Sequence, residues 1–342
     1  MAMHGDDNAQ QAPLTCLIQL GWNREFGVAS LRALSHDEPA LLRHDLAVAT
    51  ANPRRLAAMG YVRHISEFLG VGRVGALPFE PSIISSPYAV RVHDERKFEK
   101  NARAELLGAV WDAAGAAAVE LRSPRTELHA FATSKGVAWG RSIDVTRFEP
   151  GDQQSRPFVR SYVVPSRKAR WLNDLAAVDV GHRVLDPFCG TGSILIEAER
   201  LGAIVFGSDV DAVAVAGARE NFRARRATAD LRVMDARHQD GWATQFDAVV
   251  TDLPYGRSAA IRADDIASLA MSWLTATTPL LLPGARIVAM APSGVLAAEA
   301  TGLEVCERLT ERVHRSLTRE IVVYESERGT VCDRLALLGE PD

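Results

Sequence analysis

From residue 182 onward, short apolar runs alternate with longer amphipathic ones. "HRVLDPF" (182–188), "AIVFGSD" (203–209), "LRVMD" (231–235), "FDAVVTD" (246–252) and "ARIVAMAP" (285–292) are short, bounded by turn residues and predict strands. Between them, "SILIEAERLG" (193–202), "DAVAVAGARENFRARRA" (211–227) and "DIASLAMSWLTAT" (265–277) carry helical spacing, the first stopped by Gly202. Strand and helix in alternation predict a parallel sheet wound on both faces. Residues 303–326 read instead as two closely joined strands, an antiparallel hairpin at a sheet edge.

The first half is less regular. "LTCLIQLG" (14–21), "AVRV" (89–92), "ELHAFAT" (127–133) and "VAWGRSI" (137–143) predict strands, whereas 52–70 and 95–115 predict helices. This mixed order predicts a small α+β arrangement of one or two pieces, joined to the second half by a Pro-containing linker. Residues 1–13 are polar and acidic, lack the basic start and apolar centre of a secretion signal, and are expected to be a disordered tail. No apolar run approaches the length of a membrane span.

Composition is that of a globular protein, at 47% hydrophobic and 24% charged. The four cysteines are far apart without a C-x-x-C, so neither a disulfide framework nor a zinc site is expected, and a reducing cytoplasm fits. The nine histidines are scattered, and no metal is expected. A monomer is the working expectation. Net charge is −4, with 17 basic and 17 acidic residues in 1–150 and 22 and 26 in 151–342, so bulk charge points to no nucleic-acid partner. One local cluster does. The stretch 156–171 holds Arg156, Arg160, Arg167, Lys168 and Arg170 and no acid, either a solvated face or a phosphate-contacting strip.

The chemistry-bearing motifs fall at predicted strand ends. "DPFCGTGS" (186–193) joins a strand to a helix, and Gly190 and Gly192 permit a tight turn and close ligand approach. A dinucleotide site needs a third glycine three residues on, where Leu195 stands. Asp186 at the mouth of the loop would repel pyrophosphate and attract a cation. S-adenosylmethionine, with an ammonium, a sulfonium and no phosphate, suits it. Asp209 follows by 23 residues, at the next strand end, where a carboxylate can accept ribose hydroxyls. Asp235 lies 26 residues further, where an adenine amino group would sit. Asp211 is a helix-cap candidate, and Cys189 carries no mark of a nucleophile.

"TDLPYG" (251–256) ends the fourth strand on the same predicted rim. An exocyclic amine is a poor nucleophile, so catalysis rests on placing its nitrogen in line with the methyl carbon. Asp252 can accept a hydrogen bond from the NH₂ and stabilise charge developing there. Pro254 fixes φ, and Tyr255 can stack on a flipped-out base. The stretch resembles the [Asp/Asn/Ser]-Pro-Pro-[Tyr/Phe] motif of amino-methyltransferases, with Leu253 in place of the first Pro.

With "GSDVD" (207–211) and "RVHRSLTREI" (312–321), these motifs resemble the THUMP-domain tRNA guanine-N2 methyltransferases, above all the archaeal enzymes acting on guanosine 10 of tRNA. The resemblance implies a Rossmann-like class I methyltransferase over 166–342 and a linker over 151–165. Before them it implies a ferredoxin-like piece over 14–80 and a THUMP-like RNA-binding piece over 81–150. Carried over, Asp186, Phe188, Gly190 and Gly192 would hold the methionine moiety. Asp209 would bind the ribose and Asp235 the adenine edge, with Ser193, Val210 and Ala236 as further cofactor-binding candidates. Asp252, Pro254 and Tyr255 would position guanine. The implied partner is tRNA, recognised by the first half, where Arg54, Arg55, Lys97 and Lys100 are candidate phosphate contacts. One methyl or two, another tRNA position, and ribosomal RNA remain open on sequence alone. A catalytically silent tRNA-binding protein is the reading from another class, and the intact loop and acids weigh against it.

Overall fold

The computed structural model describes residues 12–21, 23–93, 98, 101–115, 117–145, 156–160, 163–254, 263–297, 302–315 and 317–327. The chain divides into two compact units, Met1–Glu149 and Pro150–Asp342.

In the first unit, strands β1 (Leu14–Leu20), β2 (Ala40–Arg43), β3 (Leu46–Ala51), β4 (Val62–Gly72), β5 (Tyr88–His93), β6 (Thr126–Thr133) and β7 (Gly136–Arg141) form one sheet in the order β2-β3-β1-β4-β7-β6-β5. All neighbours are antiparallel except β5 and β6. Helices α1 (Arg24–Leu34), α2 (Pro53–Ala57) and α3 (Ala102–Ala114) complete it.

Here the pattern misleads at one predicted helix and holds at the other. Residues 52–70, expected to be one helix, hold only the short α2, started by Pro53 and by Asn52 Oδ1 accepting from Arg54 N. From Val62 on, the segment is β4, an interior strand hydrogen-bonded on both sides to β1 and β7. Cross-strand pairing outweighs a helical pattern that the weak apolar spacing of 62–70 could not enforce. In 95–115 the helix begins at Ala102; residues 94–97 and 99–100, Lys97 and Lys100 among them, lie outside the described residues. The sequence pattern also missed α1, β2 and β3.

The second unit follows the alternation closely. It contains α4 (Ser166–Leu175), β8 (Arg183–Asp186), α5 (Ser193–Glu199), β9 (Ile204–Asp209), α6 (Ala212–Ala224), β10 (Asp230–Val233), β11 (Phe246–Asp252), α7 (Ala263–Thr277), β12 (Leu281–Pro292), β13 (Leu303–His314) and β14 (Leu317–Ser326). The sheet order is β10-β9-β8-β11-β12-β14-β13, parallel through β12. The hairpin enters antiparallel, β14 lying between β12 and the edge strand β13. Because β8, β9 and β11 run parallel side by side, their carboxyl ends, and the acids that close them, share one rim. Under the sheet, Leu185, Phe246, Val249, Leu253, Trp273, Ile287 and Tyr324 form one apolar core.

Helix α4 packs against α5 through a buried polar contact. Arg170 and Glu197 are both fully buried and pair at 3.3 Å, while Asn173 Nδ2 donates to the carbonyls of Ala169 and Ile194 at 2.8 and 3.1 Å. A buried guanidinium that loses its carboxylate keeps the full desolvation cost. Glu197→Ala is therefore expected to destabilise the protein by about 3–5 kcal/mol, read as a lowered urea midpoint. An unchanged midpoint would show that the pair contributes nothing.

Candidate active site

The rim of β8, β9, β10 and β11 opens into a cavity of about 620 Å³, in the range of small-molecule sites. Its wall includes Asp186, Phe188, Gly190, Ser193, Asp209, Val210, Asp235, Ala236, Asp252 and Pro254. The loop after β8 and the turn after β11 therefore meet in one space, as the sequence spacing requires. Tyr255 lies outside the described residues.

The loop is built by its glycines. Gly190 and Gly192 have φ of +51° and +86°, left-handed values that side-chain-bearing residues rarely adopt. A Cβ on Gly192 would press on the Phe222 ring at 3.1 Å, whereas one on Gly190 would meet nothing within 4 Å, leaving that position open for a ligand. Gly190 N donates to Asp209 Oδ2 at 2.9 Å, and Asp211 N donates to Asp209 Oδ1 at 2.9 Å, which fixes the carboxylate between two loops. Asp211 caps α6, its Oδ1 accepting from Val213 N and Ala214 N, as its position suggested.

Asp186 is the most perturbed acid. Its carboxyl is 2% exposed, and burial, aided by the charges of Asp209 and Asp252, pushes its pKa up to about 7. Opposing this, Oδ1 accepts from Thr251 Oγ1 at 2.6 Å and from Phe188 N at 3.1 Å. Thr251 immediately precedes Asp252, so one side chain ties the loop acid to the turn. A lone hydroxyl in the apolar run before Asp252 was the available signal for it. Asp235 is different: Arg237 binds it through Nε and Nη2, and those hydrogen bonds hold its carboxyl down to about 2. Arg237 also lines the cavity and went unnoticed in the sequence. Cys189 is buried beside these acids, and its thiol is pushed well up, which makes it a poor nucleophile.

Of the charged side chains lining the cavity, four are acids (Asp186, Asp209, Asp235, Asp252) and two are arginines, each in an ion pair with an acid. This environment suits a cationic ligand and disfavours a pyrophosphate.

Leu253 departs from the motif for a visible reason. Its side chain is fully buried in the core, and its N–H donates to the Met290 carbonyl at 2.8 Å, extending the β11–β12 pairing. A proline there has no N–H to give.

The arginine strip does not act as a unit. Arg170 is fully buried against Glu197 and is thereby removed from any RNA surface. Lys168 pairs with Glu311 and is largely covered. Arg156 faces inward, Nη1 to Ser193 Oγ at 2.6 Å and Nη2 to Ser166 Oγ at 3.1 Å. Arg160 is exposed at the cavity rim and pairs with Asp211 at 2.6 Å; Arg167 is exposed. Instead of a phosphate strip, residues 156–160 form a strap over α5 and α6. Asn221 clamps Phe158 N and O, at 2.9 Å each, and reaches Thr191 O at 3.0 Å. Any Cβ at Gly217 would collide with the Phe158 ring at 2.1 Å, so glycine is required beneath the strap.

A sheet of this strand order, with acids closing successive strands around one cavity, defines a class I, S-adenosylmethionine-dependent methyltransferase. Residues 156–321 match the RMKL-like methyltransferase domain family (UPF0020). The tRNA (guanine(10)-N2)-dimethyltransferase of Methanothermobacter thermautotrophicus is 32% identical over 287 residues, 78% of this chain and 83% of the relative. The Pyrococcus abyssi enzyme of that name is 30% identical over 268 residues, 71% and 75% of the two chains. Among solved structures, TrmN from Thermus thermophilus aligns over 91% of this chain and 99% of its own at TM-score 0.49 and 19% identity. The chain belongs to the tRNA (guanine(10)-N2)-methyltransferase family.

Proposed function

We propose that this enzyme methylates the exocyclic N2 of a guanosine in tRNA, position 10 by kinship, giving N2-methylguanosine and, on a second turnover, N2,N2-dimethylguanosine. The observation that carries the reading is the shared cavity of Asp186 and Asp252, joined through Thr251. When bound, S-adenosylmethionine supplies an electrophilic methyl group on a positively charged sulfur.

The chain's own residues do the rest. Asp186 holds the cationic amino-acid end beside the open position at Gly190. Asp209, fixed by two backbone N–H groups, accepts the ribose hydroxyls beside Val210. Asp235, braced by Arg237, and Ala236 border the adenine. Phe188, standing edge-on to Trp273 at 5.9 Å, closes the apolar side. Asp252 would accept a hydrogen bond from the guanine NH₂, align the nitrogen lone pair with the methyl carbon, and stabilise the positive charge that develops on that nitrogen as the N–C bond forms and the S–C bond breaks. The displaced proton passes to Asp252 and then to water. Pro254 and Tyr255 grip the flipped base.

The first unit, THUMP-like over 81–150 and ferredoxin-like over 14–80, recognises the tRNA through shape and phosphates, with Arg54 and Arg55 on α2 among the contacts. The enzyme works as a monomer in the cytoplasm.

The test is nucleoside mass spectrometry of tRNA transcripts incubated with the protein and deuterated-methyl cofactor. Labelled N2-methylguanosine or its dimethyl form is expected, and it should vanish from a transcript whose guanosine 10 is replaced by adenosine. A labelled base of any other kind would overturn the assignment.

A further inference from the structure

Far from the methyl-transfer chemistry in sequence, three of the nine histidines converge in the first unit. His64 on β4, His93 on β5 and His129 on β6 bring one ring nitrogen each to within 4.8 Å of one another. The sheet allows this through a missing side chain. Gly140 on β7 sits opposite His129 and also opposite Phe68 of β4. A Cβ there would lie 2.1 Å from Ser66 Oγ. With glycine in that place, side chains of β4 lean across β7, and the His64 and His129 rings approach to 4.1 Å between centroids. Phe131 stacks flat on His93 at 4.1 Å and fixes its ring plane.

The outer contacts orient His129. Ser142 Oγ donates to Glu127 Oε2 at 3.0 Å, so it must accept from the other direction, from His129 Nε2 at 2.8 Å. Arg91 anchors Glu127 in turn, at 2.5 Å. His129 therefore carries its proton on Nε2 and turns the Nδ1 lone pair inward, 3.0 Å from His93 Nε2. A carboxylate-backed histidine whose other nitrogen faces a cluster is the usual outer support of a metal ligand. His64 and His93 are only half-buried, which leaves a path for an ion to enter.

We propose that His64, His93 and His129 form a binding site for one divalent first-row transition ion of the zinc type, which staples the edge strand β5 and its neighbour β6 to β4. Three neutral imidazoles suit Zn²⁺ or Co²⁺ better than Mg²⁺ or Ca²⁺, and leave one tetrahedral position for water. Tetrahedral bonds of about 2.0–2.1 Å set ligand nitrogens about 3.3 Å apart. The His93–His129 nitrogens, at 3.0 Å, need to part by a few tenths of an ångström, and His64, within 4.8 Å, needs to move inward by a side-chain rotation. The site departs from the metal-free expectation drawn from sequence, where 64, 93 and 129 share no ligand spacing.

The experiment is a cobalt(II) titration of the full chelator-stripped chain, followed by displacement with zinc. One equivalent of cobalt is expected, with visible ligand-field bands of tetrahedral strength that zinc abolishes. His64→Gln and His93→Gln, both at half-buried positions, should each weaken binding at least about 100-fold, and Ser142→Ala about 10- to 100-fold. An unchanged far-UV circular dichroism spectrum and urea unfolding curve of the metal-free variants would show that the first unit, which holds all three histidines, remains folded. Absence of stoichiometric binding, or equal binding by the His64→Gln/His93→Gln/His129→Gln triple variant, would overturn the proposal.

Discussion

Asp252→Ala is expected to slow methyl transfer to tRNA by about 100-fold or more while leaving S-adenosylmethionine affinity within about twofold. The reasoning is positional. Asp252 closes β11 and faces the cavity, whereas the groups proposed for the cofactor stand on the loops after β8, β9 and β10. An amine whose lone pair is delocalised into the purine needs its nitrogen aligned and its developing charge met by an acceptor, and both come from one carboxylate. Asp252→Asn retains a carbonyl acceptor without the charge and should fall between wild type and Ala. Single-turnover transfer and calorimetric cofactor binding, measured on the same preparations, separate the two effects. A parallel fall in both would mean that Asp252 belongs to the cofactor site.

Asp186→Asn should act in two opposite directions. Asn can accept from Thr251 and Phe188 through Oδ1 as Asp does, so the loop geometry is kept. Cofactor affinity should fall roughly 10- to 100-fold, the worth of a charge-assisted hydrogen bond to an ammonium. Stability of the cofactor-free protein should instead rise. The folded-state pKa of Asp186 lies near 7, above its ordinary value of 3.8. The folded form thus binds more protons than the unfolded one between those values, and this group's contribution is present below about pH 4 and lost as pH rises through 7. The stability difference between Asp186→Asn and wild type should accordingly grow from pH 4 to pH 7.5, by a few kcal/mol at about 1.4 kcal/mol per pH unit of displacement. S-adenosylmethionine should recover part of it in wild type only. A residue with a merely structural role would lose both affinity and stability on substitution, and thermal melts across that pH range with and without cofactor distinguish the cases.

The parts legible in the sequence were those where one physical signal dominates. Parallel strands buried on both faces read as unbroken apolar runs, so β8, β9, β11 and β12 stood out, and the acids closing three of the second unit's strands marked the rim before any coordinates. Where pairing decides the outcome, the sequence was silent: nothing local says that 62–72 lies between β1 and β7. Charge runs likewise carry no direction. Arg170 looked like part of a basic strip, yet every residue of α4 from Ala169 to Leu175 is buried. Such burial is set by how α4 packs in the fold, which a local charge count does not record. The histidine cluster was not readable at all, since its members come from three strands separated by 29 and 36 residues and meet only through the sheet order.

The central claim is that an exocyclic amine, presented beside Asp252, is what the cavity methylates. Two tRNA transcripts differing at one atom group test it: one with guanosine at the target position, the other with inosine, which lacks only the N2 amine. Labelled methyl transfer from S-adenosylmethionine should proceed on the first and be absent on the second, with both binding alike. Equal transfer to the inosine-bearing tRNA would contradict the account.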